Sequence, residues 1–126
     1  MSDRILVVDD ENPILFAMKG YFTTHGYEVD CAREFEEAEA LLANIHYSVV
    51  VADLRLTGIN GVEGLELVAW VRERCPRTHI IILTAYGSPE IEKEALRCGV
   101  DAFLRKPIPL PQLAQIVFAL NESRPR

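Results

Sequence analysis

Five polar side chains of this sequence stand at or directly after the ends of short apolar runs: Asp9, Asp10, Asp53, Thr84 and Lys106. Carboxylates serve as nucleophiles and as ligands of hard metal ions, while hydroxyl and ammonium groups donate hydrogen bonds to phosphoryl oxygens. Two carboxylates about 4 Å apart repel each other by roughly 1 to 4 kcal/mol, so a cation must offset them. Mg²⁺ meets this need and takes a phosphoryl oxygen as a further ligand. The residue types therefore indicate Mg²⁺-dependent phosphoryl chemistry.

Each of these residues also has an ordinary structural explanation. Acids near position 10 are favoured at the start of a helix by its dipole. Asp53 is compatible with a turn, Thr84 with a β-branched strand end, and Lys106 with a solvated lysine. The following Pro107 allows a cis peptide bond, which would aim the lysine into a crevice. The combination of all five, rather than any one of them, favours a site.

The apolar runs predict the strands that position these side chains. Continuous runs of this length are typical of strands buried on both faces, and the stretches between them are long enough for crossover helices. The sheet should therefore be parallel, with the last residue of each strand at one edge, where open α/β sheets bind ligands. Four of the predicted strands are such runs, namely Ile5–Val8, Val49–Ala52, Ile80–Leu83 and Ala102–Leu104, and Tyr27–Cys31 is predicted as a further strand after the helix stop at Gly26.

Capping residues, glycines and prolines delimit five helices between and after the strands. The predicted helices are Asn12 to Gly26, Glu34–Ala43, Leu65–Arg74, Ser88 to Gly99 and Leu110–Leu120. The resulting order is strand and helix, five times. It predicts an α/β fold: a doubly wound, five-stranded parallel sheet of order 2-1-3-4-5 with five flanking helices, as in flavodoxin.

Composition and charge narrow the class of protein. A chain of 126 residues predicts one domain that folds without disulfides, and its three cysteines, an odd number, lack metal-ligand spacing. A net charge of −6 without a basic run argues against nucleic-acid binding. No apolar stretch approaches the roughly 20 residues of a membrane span, so we expect a cytoplasmic protein without membrane contact.

The ordered motifs resemble the receiver domain of two-component response regulators. The similarity extends from Arg4 to about Asn121 and rests on four segments in the same order along the chain. It predicts a receiver domain over residues 1–121, followed at 122–126 by a polar tail or the start of a linker. The segments are Leu6–Glu11 (LVVDDE), Val51–Leu54 (VADL), Ile82–Ala85 (ILTA) and Phe103–Pro107 (FLRKP).

The resemblance implies a phospho-accepting switch that catalyses no turnover of its own beyond its phosphorylation and dephosphorylation. Asp53 would accept a phosphoryl group from a sensor histidine kinase or a phosphotransfer protein. Asp10, Asp53 and the backbone carbonyl of Arg55 would ligate Mg²⁺, and Asp9 would hold the metal through water. Lys106 would bind the phosphoryl group.

The same resemblance implies how the switch reports its state. Thr84 would move to contact the phosphoryl group, and Phe103, where the family often has tyrosine, would fill the space that Thr84 leaves. We expect the loop from Ala85 to Ser88 and the following helix to change conformation. The chain also departs from the commonest pattern after Asp53, where Val62–Gly64 is interpreted as an insertion that lengthens the loop.

Three alternatives stay open on the sequence. A haloacid-dehalogenase-like phosphatase would need a second acid two residues after the nucleophile, and Arg55 occupies that position here. Without this acid, such an enzyme would lack general acid catalysis worth about 10²–10⁴-fold in rate. A flavodoxin-like cofactor binder would need a glycine- and hydroxyl-rich phosphate loop in place of the acidic segment. A degenerate receiver that acts only as an interaction module would be expected to have lost one of the site residues.

The last helix provides an expectation about the output surface. Leu113, Ile116, Val117 and Leu120 should pack on the sheet, which places Phe118 on a nearly uncharged outer face. We expect Phe118, with Ala114 and Leu110, to form an apolar patch for an effector or a second receiver, on the surface of the fourth helix, fifth strand and fifth helix.

Overall fold

Strands and helices alternate along the chain, as the sequence predicts. The structure, a computed structural model, describes residues 3–54, 62–85 and 87–122. The elements are β1 Arg4–Val8, α1 Asn12–Thr24, β2 Glu28–Ala32, α2 Phe35–Asn44, β3 Val49–Ala52, α3 Val62–Arg74, β4 His79–Thr84, α4 Pro89–Arg97, β5 Ala102–Arg105 and α5 Leu110–Glu122.

The sheet is parallel and has the order β2-β1-β3-β4-β5, so the predicted fold class is confirmed. Val8 pairs with Ala52 of β3, and Ala52 pairs in turn with Ile82 of β4. β1 and β3 therefore end at the same level, and β4 continues two residues further, to Thr84. This register brings the residues that follow β1 and β3 side by side.

Alternate side chains of each central strand enter two different cores, one on each face of the sheet. On one face Val8, Val50 and Ile82 pack against α2, α3 and α4. On the other face Val7 and Val51 pack against α1 and α5. Burial on both faces explains why these strands are continuously apolar instead of alternating with polar residues.

Helix starts differ from the sequence-based expectation, most of all at α3. The Asn12-Pro13 pair predicts Asn12 as the N-cap of α1, whereas the structure has Glu11 as the N-cap and Asn12 as the first helical residue. α3 begins at Val62, so the three residues interpreted as a loop insertion form the first turn of a helix. Local propensity, lowered here by Gly64, is a weak guide that tertiary context overrides. Residues 55–61 of the preceding loop lie outside the described ranges.

The expected outward patch on α5 is wrong. Phe118 is half-buried, and its ring stacks on that of Tyr27 at an interplanar angle of 2° and a centroid distance of 5.8 Å. Its ring centroid also lies 5.9 Å from that of His25, and Ala114 is only 1% exposed. Because α1 and α5 share one face of the sheet, the segment that follows α1 covers the flank of α5, a contact that helical spacing alone does not reveal.

At the chain's carboxyl end, α5 continues to Glu122, one residue past the predicted domain boundary, and residues 123–126 lie outside the described ranges. Within the described residues, no helix is long and apolar enough to cross a bilayer.

Candidate functional site

Backbone hydrogen bonds at the carboxyl edge of the sheet fix the positions of three of the five candidate residues. The N–H of Asp9 donates to the carbonyl of Ala32 at 3.0 Å, and the N–H of Asp53 donates to the carbonyl of Val8 at 2.9 Å. The N–H of Lys106 donates to the carbonyl of Thr84 at 2.9 Å. The strand ladder thus extends one step beyond the strands and holds the bases of these side chains.

The ammonium of Lys106 lies among carboxylates. Its Nζ is 2.8 Å from Oδ2 of Asp9, 3.1 Å from Oδ2 of Asp53 and 3.3 Å from Oε2 of Glu11. The side chains of Asp9 and Asp53 are each only 4% exposed, and that of Lys106 is 12% exposed. Burial opposes the charge of the lysine, but its hydrogen bonds to Asp9 and Asp53 outweigh burial and raise its pKa above the usual range. Lys106 is therefore a fixed cation beside Asp53. The Lys106–Pro107 peptide bond is cis.

Four carboxylates converge at this edge. Asp9, Asp10, Glu11 and Asp53 each offer an oxygen atom, and these atoms lie within 4.8 Å of one another. Burial raises the pKa of Asp9 above its ordinary value, against the opposing effect of its hydrogen bonds with Lys106 and with the backbone N–H of Glu11. One ammonium against four carboxylates leaves an excess of negative charge. Hard oxygen donors with such an excess fit a divalent cation.

Glu11 is absent from the set of residues that the sequence analysis selected. The available signal was its place directly after Asp9 and Asp10, which put a third carboxylate at the same strand end. Helix-start acids are common, so the adjacency by itself did not separate a site residue from a residue favoured by the helix dipole. The hydrogen bond from Lys106 to Glu11 identifies Glu11 as a residue of the site.

The two residues predicted to act as a switch lie on the neighbouring strands β4 and β5. Thr84 is the last residue of β4 and is fully buried. Phe103 of β5 is half-buried and packs against the core on the α2–α4 face. The ring of Phe103 touches the loop after β4 so closely that a Cβ on Gly87 would lie 3.1 Å from its Cζ. Nη1 of Arg105 donates to the carbonyl of Gly87 at 3.1 Å. β5 is thus in direct contact with the segment that follows Thr84.

The structure brings Asp9, Asp10, Asp53 and Lys106 together, and it places Thr84 at the end of the neighbouring strand. Arg55, whose carbonyl was named as a metal ligand, lies outside the described residues. A buried carboxylate beside a fixed ammonium, grouped with carboxylates whose oxygens could hold a metal ion, has the parts needed for nucleophilic attack on phosphorus. These parts are a nucleophile, a hydrogen-bond donor and a place for a charge-neutralising cation.

Comparison with known proteins agrees with this chemistry. The family model described as the response regulator receiver domain matches residues 5–118. The regulatory protein AtoC of Escherichia coli (strain K12) is 37% identical over 91% of this chain and 24% of its own length. The photosynthetic apparatus regulatory protein RegA of Rhodobacter capsulatus is 32% identical over 98% of this chain and 66% of its own length. The chain thus spans about a quarter of the length of the first relative and about two thirds of the length of the second.

Solved structures show the same fold. A CheY-like response regulator receiver domain protein from Methanospirillum hungatei JF-1 superposes with a TM-score of 0.87 at 32% identity, covering 97% of this chain and 96% of that one. A response regulator from Burkholderia pseudomallei, solved with a phosphorylated aspartic acid and a calcium ion, gives a TM-score of 0.81 at 25% identity, covering 97% of this chain and 76% of that one.

Proposed function

The chain belongs to the response regulator receiver domain family, the phospho-accepting switches of two-component signalling, and from this premise we propose that Asp53 is the residue that accepts the phosphoryl group. The observation that carries the proposal is the position of Asp53: a 4% exposed carboxylate, hydrogen-bonded to Lys106 and grouped with three further carboxylates. It is the nucleophile that follows the central strand, at the edge where the fold binds ligands.

In the proposed reaction, an oxygen of Asp53 forms a bond to the phosphorus of the donor while the bond from phosphorus to the donor's leaving group breaks. Lys106 donates a hydrogen bond to the transferred group, whose negative charge its own fixed charge complements. Asp9, Asp10, Asp53 and the carbonyl of Arg55 would hold Mg²⁺. The metal, when bound, supplies the neutralising charge that lets an anionic carboxylate approach an anionic donor.

The contacts of β5 support a route from this reaction to a change of surface. A phosphoryl group adds about −1.5 to −2 charge and new acceptor oxygens, which would draw the hydroxyl of Thr84 towards Asp53. A shift of Thr84 moves the following loop, and Gly87 in that loop touches Phe103 and is held by Arg105. The effector surface would therefore be formed by α4, β5 and α5, and Phe118 would not be part of it.

The phosphoryl donor would be a histidine kinase or phosphotransfer protein. The surface of α1 supports a docking site for the donor on this helix. Phe16 is 84% exposed, against 48% for Leu96, the other exposed large apolar side chain in the described part of the chain. A cavity of about 210 Å³ lies along another side of the same helix, between α1 and the segment after β5, and Lys106 forms part of its wall. Its other lining residues are Ile14, Ala17, Met18, Leu83, Pro107, Ile108 and Leu110. An apolar helix of the donor would suit this surface.

Mass spectrometry after incubation with Mg²⁺ and a small acyl phosphate tests the acceptor. We expect one added phosphoryl group on the wild type and none on Asp53→Asn. Equal modification of the two proteins would refute the assignment of Asp53.

A second variant tests the donor surface. Phe16→Ala should slow phosphorylation by the donor protein and leave phosphorylation by the small acyl phosphate unchanged, because only the protein needs a docking surface. Slowing of both reactions to the same extent would show that Phe16 acts on the site and not on docking.

A further inference from the structure

All three hydrogen-bond donors of the Lys106 ammonium are occupied in this structure. An ammonium group has three N–H donors and no acceptor. Here the three acceptors are Asp9, Asp53 and Glu11, at 2.8, 3.1 and 3.3 Å. A phosphoryl group attached to Asp53 adds oxygens that need a donor from the same ammonium. One of the existing hydrogen bonds must then be given up or weakened.

Glu11 is the partner that is easiest to displace. Its distance to Nζ is the longest of the three, and its side chain is 59% exposed, against 4% for Asp9 and for Asp53. An exposed carboxylate regains water when it leaves the lysine, whereas a buried carboxylate that loses its partner keeps an uncompensated charge. Displacement of Glu11 therefore costs least.

The side chain of Glu11 has no role in capping its helix. Glu11 is the N-cap residue of α1, and no side-chain capping hydrogen bond is formed there. Its backbone does the structural work: the N–H donates to Oδ1 of Asp9 at 2.9 Å, and the carbonyl accepts from the N–H groups of Ile14 and Leu15. A substitution that shortens the side chain leaves these backbone contacts available.

Building on the proposed acceptor role of Asp53, we propose that Glu11 is a displaceable ligand of Lys106. In the unphosphorylated protein its carboxylate holds the ammonium beside Asp53. A phosphoryl group must compete with Glu11 for that N–H, so Glu11 lowers the affinity of the site for the group. Glu11 is thus a positioning residue, which acts on the phosphoryl group through Lys106.

Titration with beryllofluoride, which binds to an aspartate oxygen with the shape and charge of a phosphoryl group, measures this competition. The titration is followed by ¹⁹F NMR at a Mg²⁺ concentration that saturates each variant. Exposed ion pairs contribute up to about 1 kcal/mol, so we expect Glu11→Ala to bind beryllofluoride about two- to fivefold more tightly than the wild type. Unchanged or weaker binding would overturn the proposal.

Glu34→Ala is the matched control. Glu34 is also an exposed glutamate, it is the N-cap residue of α2, and it forms no side-chain capping hydrogen bond. The substitution changes the net charge by the same amount, so beryllofluoride affinity should stay at the wild-type value. Equal tightening in both variants would assign the effect to net charge and would overturn the role of Glu11.

The NMR signals of the Lys106 side chain provide a second measurement. They should differ between the wild type and Glu11→Ala before beryllofluoride is added and coincide after saturation, because the ligand replaces Glu11 in the wild type. A difference that persists at saturation would show that Glu11 stays bound, and would overturn the proposal. Failure of the wild type to bind beryllofluoride at Asp53 would instead refute the proposed function.

Discussion

Replacing Lys106 by methionine removes the ammonium from the site while keeping an unbranched, largely apolar side chain. The carboxylates of Asp9 and Asp53 lose a cation 2.8 and 3.1 Å away, and their side chains are each 4% exposed. Breaking a buried ion pair by removing one partner costs about 3 to 5 kcal/mol. Because burial has already raised the pKa of Asp9, this residue can take up a proton and relieve part of the loss. We expect the metal-free variant to lose about 3 kcal/mol of unfolding free energy.

Magnesium should reduce this loss to the extent that it binds the variant more tightly than the wild type. Lys106 and Mg²⁺ compete for the same carboxylate oxygens, so the variant should bind the metal more tightly than the wild type does. At a concentration 100 times its dissociation constant, a ligand that binds only the folded state contributes about 2.7 kcal/mol. The difference between the unfolding free energies of wild type and variant should therefore shrink when Mg²⁺ replaces a chelator.

Urea unfolding of both proteins, in chelator and in Mg²⁺, measures the four free energies. Lys93→Met is the matched control, because Lys93 is exposed on α4, and its unfolding free energy should change by less than about 0.5 kcal/mol in either buffer. A loss in Lys106→Met of the same size in both buffers would refute competition between ammonium and metal. No loss in chelator would refute the ion-pair reasoning itself.

Two further predictions concern packing away from the site. The hydroxyl of buried Tyr47 donates to Oδ2 of Asp30 at 2.6 Å, so Tyr47→Phe should lower the unfolding free energy by about 1 to 2 kcal/mol at neutral pH in urea titrations. Burial, and after it the hydrogen bond with Asp30, raises the pKa of Tyr47. The stabilisation by its neutral phenol is therefore complete below about pH 10, the pKa in the unfolded chain, and is lost as pH rises through the folded pKa. Above about pH 10 the unfolding free energy of the wild type should fall more steeply than that of Tyr47→Phe, and parallel curves would contradict this. Phe118→Ser should remove the stacking on Tyr27 and cost about 2 kcal/mol in urea unfolding while Asp53 is still phosphorylated under native conditions; an unchanged unfolding free energy would contradict the packing of Phe118.

Much of the fold can be predicted from the pattern of apolar residues along the chain. The strands β1, β3 and β4 are short apolar runs because both of their faces are buried. A continuous apolar run distinguishes them from amphipathic strands and helices, in which apolar and polar residues alternate. Helix boundaries were predicted less well, since the start of α3 at Val62 depends on contacts that outweigh local propensity. Phe118 was misplaced for the same reason: the residue that covers it, Tyr27, is distant in sequence.

For the site, the sequence by itself determined which residues reach the carboxyl edge, because a parallel sheet delivers the end of every strand there. Asp9, Asp53 and Lys106 could be selected in this way. Only the tertiary structure decided how the charges pair. Lys106 and Glu11 are 95 residues apart, and their contact depends on the direction that each side chain takes in the folded protein. The sequence thus indicates most of the groups at this edge, and packing decides which of them contact the lysine, Glu11 included.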